Sequence, residues 1–422
     1  MVDLTSTTTR VLPHSNEAGL DLVARHLSAA RAEAFRGLGL GIVQGHRDGV
    51  RIWDLDGKAY VNCRSSGGVF DFGHRPEFAI RALTRALREL GDMGDWLVPS
   101  AVRAQGAAAL ARTLPGDLRY TFFTPGGGEA VEVACKLTRA TTGRTGIVSA
   151  EHGYHGHVGF ALAMDEERDS RWFAPLVPGI SKVPFGDVTA VERAVSDETA
   201  AVCMETVPAT AGYLVPPDDY WPAVREICHE RGALLILDEV QAGLGRTGRV
   251  WACERWDVAP DLLVAGKGLS GGVYPIAACS FGDDVDAFFA RDPFFHPSSY
   301  GGSELGAAVV EAVVDKVTEP GFLDHVEEMG ARLAAGFDRL CAAHPDLLVG
   351  HRGLGLMRAL DTVSSEVCYE LMLQAIDGGV LVVWANNKQE TLLVMPPLVI
   401  EADDIDEVVD VLDGAAARVR TR

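Results

Sequence analysis

Two residues carry the most pointed chemistry in this sequence, an acid and an amine. Asp238 closes the apolar run at 234–237, and Lys267 follows 29 positions later, just after the run at 261–265. In an open α/β sheet, ligands gather outside the carboxyl ends of strands, so two residues placed there can converge on one ligand. A carboxylate beneath a pyridine nitrogen keeps that nitrogen protonated, and a lysine amine can hold an aldehyde as a Schiff base and later shuttle a proton. Lysine is scarce, found only at Lys58, Lys136, Lys182, Lys267, Lys316 and Lys388, and of these only Lys267 sits between glycines after an apolar run. Taken singly, Asp238 reads as a helix cap and Lys267 as a solvated loop residue. Taken together they suit pyridoxal 5'-phosphate as a cofactor, with both as catalytic residues.

The surrounding elements must bring these two positions to one place. Between about residues 105 and 320, helical patterns at 107–114 and 128–141 alternate with short apolar runs at 120–124, 145–149, 200–205, 233–238, 261–265 and 276–281. Runs that are apolar on both faces and separated by helices read as strands of a mainly parallel sheet. Beyond Gly321 the pattern predicts a long helix over 322–343, strands around 353–360, 381–384 and 391–395, and a final amphipathic helix over 403–418. The N-terminal segment adds strands at 50–55 and 59–62. The expected fold class is α/β, with a large domain over 71–320 whose mainly parallel sheet is flanked by helices. A smaller α+β domain is expected from 321–422, joined by the N-terminal segment 1–70. The first fifteen or so residues are polar and weakly periodic, and are expected to be loosely ordered.

Bulk properties narrow the function classes. A chain of 422 residues is long enough for two or three domains. With 47% hydrophobic against 23% charged residues and a mean hydropathy of +0.10, extensive disorder is excluded. The net charge of −21 and pI near 4.9 oppose a nucleic-acid or anionic-membrane partner, because phosphate groups demand clustered Lys and Arg. Apolar runs are too short to span a bilayer and no leader pattern stands at the start, so a cytoplasmic location is expected. The eight cysteines form no C-x-x-C pair and no zinc spacing, and no metal site is expected.

Residues 231–281 carry D-E-V-Q at 238–241, G-x-G-R-T-G at 243–248, P-D at 260–261 and K-x-x-x-x-G-x-x-P at 267–275, in that order. This stretch resembles the signature of class III pyridoxal-phosphate aminotransferases, and the similarity extends from Gly57 to about Asp404. The resemblance implies the fold-type-I architecture and a homodimer with shared active sites. It implies that Gly127 and Gly128, in Pro125 to Ala130 between a strand and a helix, offer backbone amides to the cofactor phosphate, where the family usually has Ser or Thr. It implies that Tyr154, in Tyr154-His155-Gly156, stacks on one face of the pyridine ring and Val240 covers the other, with His155 beside it. Gln241 corresponds to the residue that bonds the phenolic oxygen. Ser299, in the segment 296–302, corresponds to the threonine that reaches the neighbouring subunit's phosphate. Glu205 matches a glutamate that in many members faces the substrate entrance, and a strand-end carboxylate satisfied by nearby amides is an equal reading; Thr206 replaces the proline that usually follows.

Substrate signals are thinner. Members that bind an α-carboxylate commonly carry an arginine three residues before the Pro-Pro of the last domain, and here Leu393 stands there. Arg358 is a possible substitute. The missing arginine, the acidic field and the segment 62–68 favour a polar, polycationic carbonyl acceptor, an oxo-sugar or aminoglycoside intermediate of antibiotic biosynthesis, with L-glutamate as amino donor. The alternatives are an ω-amino acid or ornithine-type aminotransferase, or an epimerase or aminomutase on the same fold. A nucleotide-dependent oxidoreductase is disfavoured, because the G-x-G-x-x-G spacing is absent and the Asp238 and Lys267 pairing would go unexplained.

Overall fold

The computed structural model describes residues 13–166 and 170–419. Most of the stretch expected to be loosely ordered, residues 1–12, lies outside the described residues. A seven-stranded sheet runs edge to edge as Tyr120–Thr124, Ala277–Phe281, Leu262–Ala265, Leu234–Asp238, Thr199–Glu205, Gly146–Ala150 and Ile180–Val183. All pairings are parallel except those of Ala277–Phe281, which is antiparallel to both of its neighbours. Six of these strands were expected from their apolar runs. The seventh, Ile180–Val183, is an edge strand in which only Val183 is buried, so it leaves no such run.

The central strands are sealed on both faces. Ile236 and Val264 pack with Ala130, Ala134 and Leu137 of the helix Gly127–Thr142, whereas Leu235, Leu237 and Leu263 point into the larger core on the other side. This two-sided burial is what the continuous apolar runs encode. The helix expected at 107–114 is found at Ala101–Ala111, started by Ser100, whose hydroxyl accepts the Arg103 amide at 3.2 Å. Its alanine-rich sequence has too little polar contrast to show a period.

Two smaller sheets flank this layer. One combines Gln44–Asp48, Arg51–Asp54 and Ala59–Asn62 with Val380–Leu381, so the N-terminal and C-terminal segments share a sheet. The other orders Leu348–Leu354, Met357–Thr362, Lys388–Val394 and Val383–Ala385. The single strand expected over 353–360 is in fact the corner of a hairpin. Gly353 and Gly355 adopt φ of 126° and 50°, and a Cβ at Gly353 would lie 2.0 Å from the Met357 carbonyl oxygen. The 381–384 run is likewise divided, its halves joining different sheets. Seven of the eight cysteines are buried and all are free thiols. Among the described residues no helix is long and apolar enough to cross a membrane, and no His, Cys, Asp and Glu cluster suits a metal ion.

The long helix Phe322–Ala343 rests on this hairpin through Gly330, where a Cβ would meet the Gly355 carbonyl oxygen at 2.4 Å. Gly330→Ala should therefore lower stability by about 2 kcal/mol, the usual cost of overpacking. Gly37→Ala, at a helix end with open space around it, should be neutral or slightly stabilising. Urea denaturation of both variants measures the contrast, and equal stabilities would refute the packing argument.

Candidate active site

Strands Thr199–Glu205 and Leu234–Asp238 are parallel neighbours in a register that sets Glu205 opposite Asp238. Asp238 in turn pairs with Val264, three residues before Lys267. Parallel pairing thus delivers an acid, a second acid and the lysine to one edge of the sheet, the carboxyl-end crevice where ligands bind. Asp238 is only 4% exposed and is fixed at both oxygens. Oδ1 accepts the Val240 amide at 3.0 Å, and Oδ2 is 2.7 Å from Nδ1 of the buried His155. His155 Nε2 lies 3.4 Å from the Ser149 hydroxyl. Burial opposes charge on His155, but the Asp238 hydrogen bond and the charges of Asp238, Glu205 and Asp165 outweigh it, so the imidazole is held above its ordinary range.

Lys267 opens a short 3-10 turn, Lys267–Ser270, with φ of 43°, a left-handed conformation uncommon for a lysine. Both flanking glycines are needed. A Cβ at Gly268 would meet Asp71 Oδ2 at 2.6 Å, and one at Gly266 would press on Val240 at 3.3 Å. The amine lies beneath the turn at 65–68: a Cβ at Gly67 would be 3.6 Å from Lys267 Nζ and 3.0 Å from Gln241 Nε2. Gln241 Nε2 donates to the Gly67 carbonyl at 2.7 Å, while its Oε1 is buried with no partner. Burial pulls the Lys267 ammonium below the usual lysine range, and the charges of Glu205, Asp238 and Asp71 only partly offset it.

Asp71 and Arg246 are additions that the sequence reading did not single out. They form a buried ion pair beside Lys267, and Arg246 Nη1 also donates to the carbonyls of Leu356 at 3.1 Å and Pro396 at 2.5 Å. The available signal was Arg246 inside the G-x-G-R-T-G element and an acid, Asp71, within the otherwise apolar run 69–72.

The helix Gly127–Thr142 begins at Gly126 with no side-chain cap, leaving its first amides to a ligand. A Cβ at Gly127 would touch Val240 at 3.0 Å, so Val240 sits against this glycine turn. A cavity of about 430 Å³ joins Pro125, Gly126 and Gly127 to Lys267, Val273 and Tyr274. Tyr154 is half-buried and meets His157 edge-on at 5.2 Å. Glu205 is only 6% exposed, and its oxygens accept the backbone amides of Tyr154 at 2.9 Å and Ala209 at 3.0 Å. Its carboxyl group therefore lies inside, satisfied by amides, rather than at an entrance. Ser299 is exposed next to Ser298, whose hydroxyl donates to Glu129 at 2.7 Å. Arg358 closes the hairpin corner by donating to the carbonyls of Gly355 at 2.9 Å and Gly353 at 3.0 Å.

The chain matches the class-III aminotransferase family over residues 39–415 and belongs to that family. It is 43% identical to an uncharacterized aminotransferase of Archaeoglobus fulgidus over 396 residues, covering 94% of this chain and 93% of the other. It is 35% identical to a putrescine aminotransferase of Pectobacterium atrosepticum over 366 residues, or 84% and 78% of the two chains. Among solved structures, the ornithine aminotransferase of Toxoplasma gondii superposes with a TM-score of 0.88 at 24% identity, covering 97% of this chain and 96% of that one. The protein is thus a fold-type-I aminotransferase whose cofactor is pyridoxal 5'-phosphate. The residues present fit that group: an uncapped helix start for a phosphate, a carboxylate with a buried histidine behind it, a desolvated amine, and an amide oxygen short of one partner.

Burial drives the Glu205 carboxyl up, the Asp238 charge adds to this, and the His155 charge and two backbone amides pull it back, leaving it at about 7. An ordinary glutamate releases its proton near 4.5. At this residue the folded state therefore holds a proton that the unfolded state releases between these values, and its contribution to stability is lost as pH rises from about 4.5 to 7. Glu205→Gln has no proton to release and should lose this part of the slope, even if it is less stable throughout. Denaturation at closely spaced pH values gives the slope directly, and an identical slope in the variant would count against the assignment.

Proposed function

We propose that this chain moves an amino group between the primary amine of a diamine or ω-amino acid and an oxo acid, with Lys267 as the amine that tethers the cofactor. The observation that carries the reading is the convergence of a desolvated Lys267, the Asp238 and His155 pair and an uncapped helix start at one sheet edge. When bound, the cofactor would supply an electron-withdrawing ring able to stabilise negative charge at the substrate's reacting carbon. Asp238, backed by His155, is the carboxyl group that would face the ring nitrogen. Lys267, disfavoured as an ammonium by its surroundings, would hold and move the proton released at the substrate's reacting carbon. Gly127 and Gly128 would hold the phosphate through backbone amides, with Tyr154 and Val240 against the ring and Gln241 toward its phenolic oxygen. Glu205 acts from behind, through Tyr154 and the charge it places near His155.

The family relatives favour the amine over the oxo-sugar acceptor. The putrescine aminotransferase supports a diamine, and nothing among these relatives supports an aminoglycoside. The site agrees. Three carboxylates, Glu205, Asp238 and Asp71, bear on Lys267, the chain carries −21 overall, and Leu393 and the committed Arg358 offer no guanidinium for an α-carboxylate. The same reading divides the chain into a cofactor-binding domain over 71–320 and a smaller one from 1–70 and 321–422. It also takes the active unit as a homodimer, with the exposed Ser299 reaching the partner's phosphate and the exposed Leu97, Val98, Phe294 and Tyr300 covered on association.

Two outcomes test this. Borohydride reduction of the yellow holoenzyme should fix the cofactor to the peptide holding Lys267, and Lys267→Ala should lose both the adduct and at least about 10³-fold in turnover; label on another lysine would overturn the site. Putrescine or a related ω-amine should bleach the visible band with a kcat/KM at least about 10-fold above that of an aminoglycoside amine, a margin typical of pocket discrimination. The opposite order would restore the oxo-sugar reading.

A further inference from the structure

Whenever the acceptor is an oxo acid, an aminotransferase must bind a carboxylate in one half-reaction, and the arginines around this site are mostly committed elsewhere. Arg246 is buried against Asp71 and two carbonyls. Arg352 pairs with Asp361 and donates to the Gly212 carbonyl. Arg358 is spent on the hairpin corner.

Arg64 differs from all of these. Its side chain is exposed, and none of the hydrogen bonds or ion pairs among the described residues engages its guanidinium. Its backbone is tightly held. Asn62 Oδ1 accepts the amides of Arg64 at 3.2 Å and Ser65 at 3.0 Å, Asn62 Nδ2 lies 2.9 Å from His74 Nε2, and the Gly67 amide donates to the Arg64 carbonyl at 2.9 Å. Ser65, Ser66, Gly67 and Gly68 follow with φ of 44°, 50°, 68° and 103°. Four successive left-handed residues, two of them serines, persist only where their surroundings over-determine them, a pattern that clusters at ligand clamps. This turn sets the Gly67 backbone over Lys267 Nζ, and Arg64, three residues earlier, opens it, its carbonyl holding the Gly67 amide. Its charge also bears on the Tyr213 hydroxyl together with those of Asp71 and Glu205, the carboxylates that flank Lys267.

The geometry points to Arg64 as the specificity-determining residue that grips the carboxylate of the oxo-acid partner, a role that rests on the aminotransferase reading above. A planar guanidinium matches a carboxylate with two parallel hydrogen bonds, which a lysine cannot reproduce. A diamine substrate such as putrescine, lacking a carboxylate, does not use it.

The test uses the holoenzyme, with Arg64→Gln and Arg64→Lys variants, and follows the half-reactions separately by the cofactor's absorbance. Arg64→Gln should raise the apparent dissociation constant for 2-oxoglutarate or pyruvate by about 10- to 100-fold, with Arg64→Lys between it and the wild type. It should leave the putrescine half-reaction and reaction with an uncharged aldehyde within about twofold. Succinate, which cannot react, should bind the Arg64→Gln protein correspondingly more weakly in a calorimetric titration. Unchanged affinity for the oxo acids and succinate, or equal losses for the uncharged aldehyde, would overturn the assignment. Failure of the wild-type protein to bleach with any amine would instead sink the proposed function.

Discussion

The site depends on keeping a lysine amine out of water among three carboxylates. The charges of Glu205, Asp238 and Asp71 all bear on Lys267, and burial still outweighs their combined attraction for its proton. Charges so close together in a desolvated setting are tolerable only when each is fixed by further hydrogen bonds. Each acid here is fixed differently: Asp238 by His155 and the Val240 amide, Glu205 by two backbone amides, Asp71 by Arg246. The amine is left as the one group of the cluster without a fixed partner, which is the condition a nucleophile or proton carrier needs.

That arrangement is held in place by backbone more than by side chains. The parallel register carries Glu205 and Asp238 to the same level, and left-handed residues at 65–68 and at 267 let two loops close over the amine. A Cβ at Gly67 or Gly268 would intrude on Gln241 or Asp71. Removing Arg246 would leave Asp71 as an unpaired buried charge directly under the lysine, so the pair is structural in cause and electrostatic in consequence.

Legibility in the sequence follows the same division. Six of the seven strands and the helices Gly127–Thr142 and Phe322–Ala343 were readable because runs of apolar residues and the 3.6-residue period leave plain patterns. Ile180–Val183 was not, because an edge strand with one buried residue has no pattern to read. The hairpin corner at Gly353 to Gly355 was hidden inside a run that is apolar but for Arg358, so strand propensity masked the turn. In the site, Lys267 and Asp238 stood out by residue type and setting. Asp71 did not, since its partner lies 175 positions away and no local spacing announces a buried ion pair. Glu205 was visible as a residue but not as an environment: its amide partners come from Tyr154 and Ala209, which only the fold brings to it.

The distribution of charge also separates two tasks that one pocket must perform. Around Lys267 the acids outnumber the fixed cations, which favours an incoming ammonium and draws it toward the amine it will displace. An oxo acid faces the reverse problem, since its carboxylate enters the same acidic field and gains nothing from it. A pocket serving both half-reactions therefore needs a cation that is close enough to hold the acid yet distant enough to leave the lysine unneutralised and the amine unrepelled. An exposed, unpaired guanidinium on the turn that lies over the lysine, as proposed for Arg64, meets both conditions, whereas one placed beside Asp71 or Glu205 would be consumed by the acids before any substrate arrived. Arg246 shows that second fate: it is adjacent to the chemistry and wholly occupied.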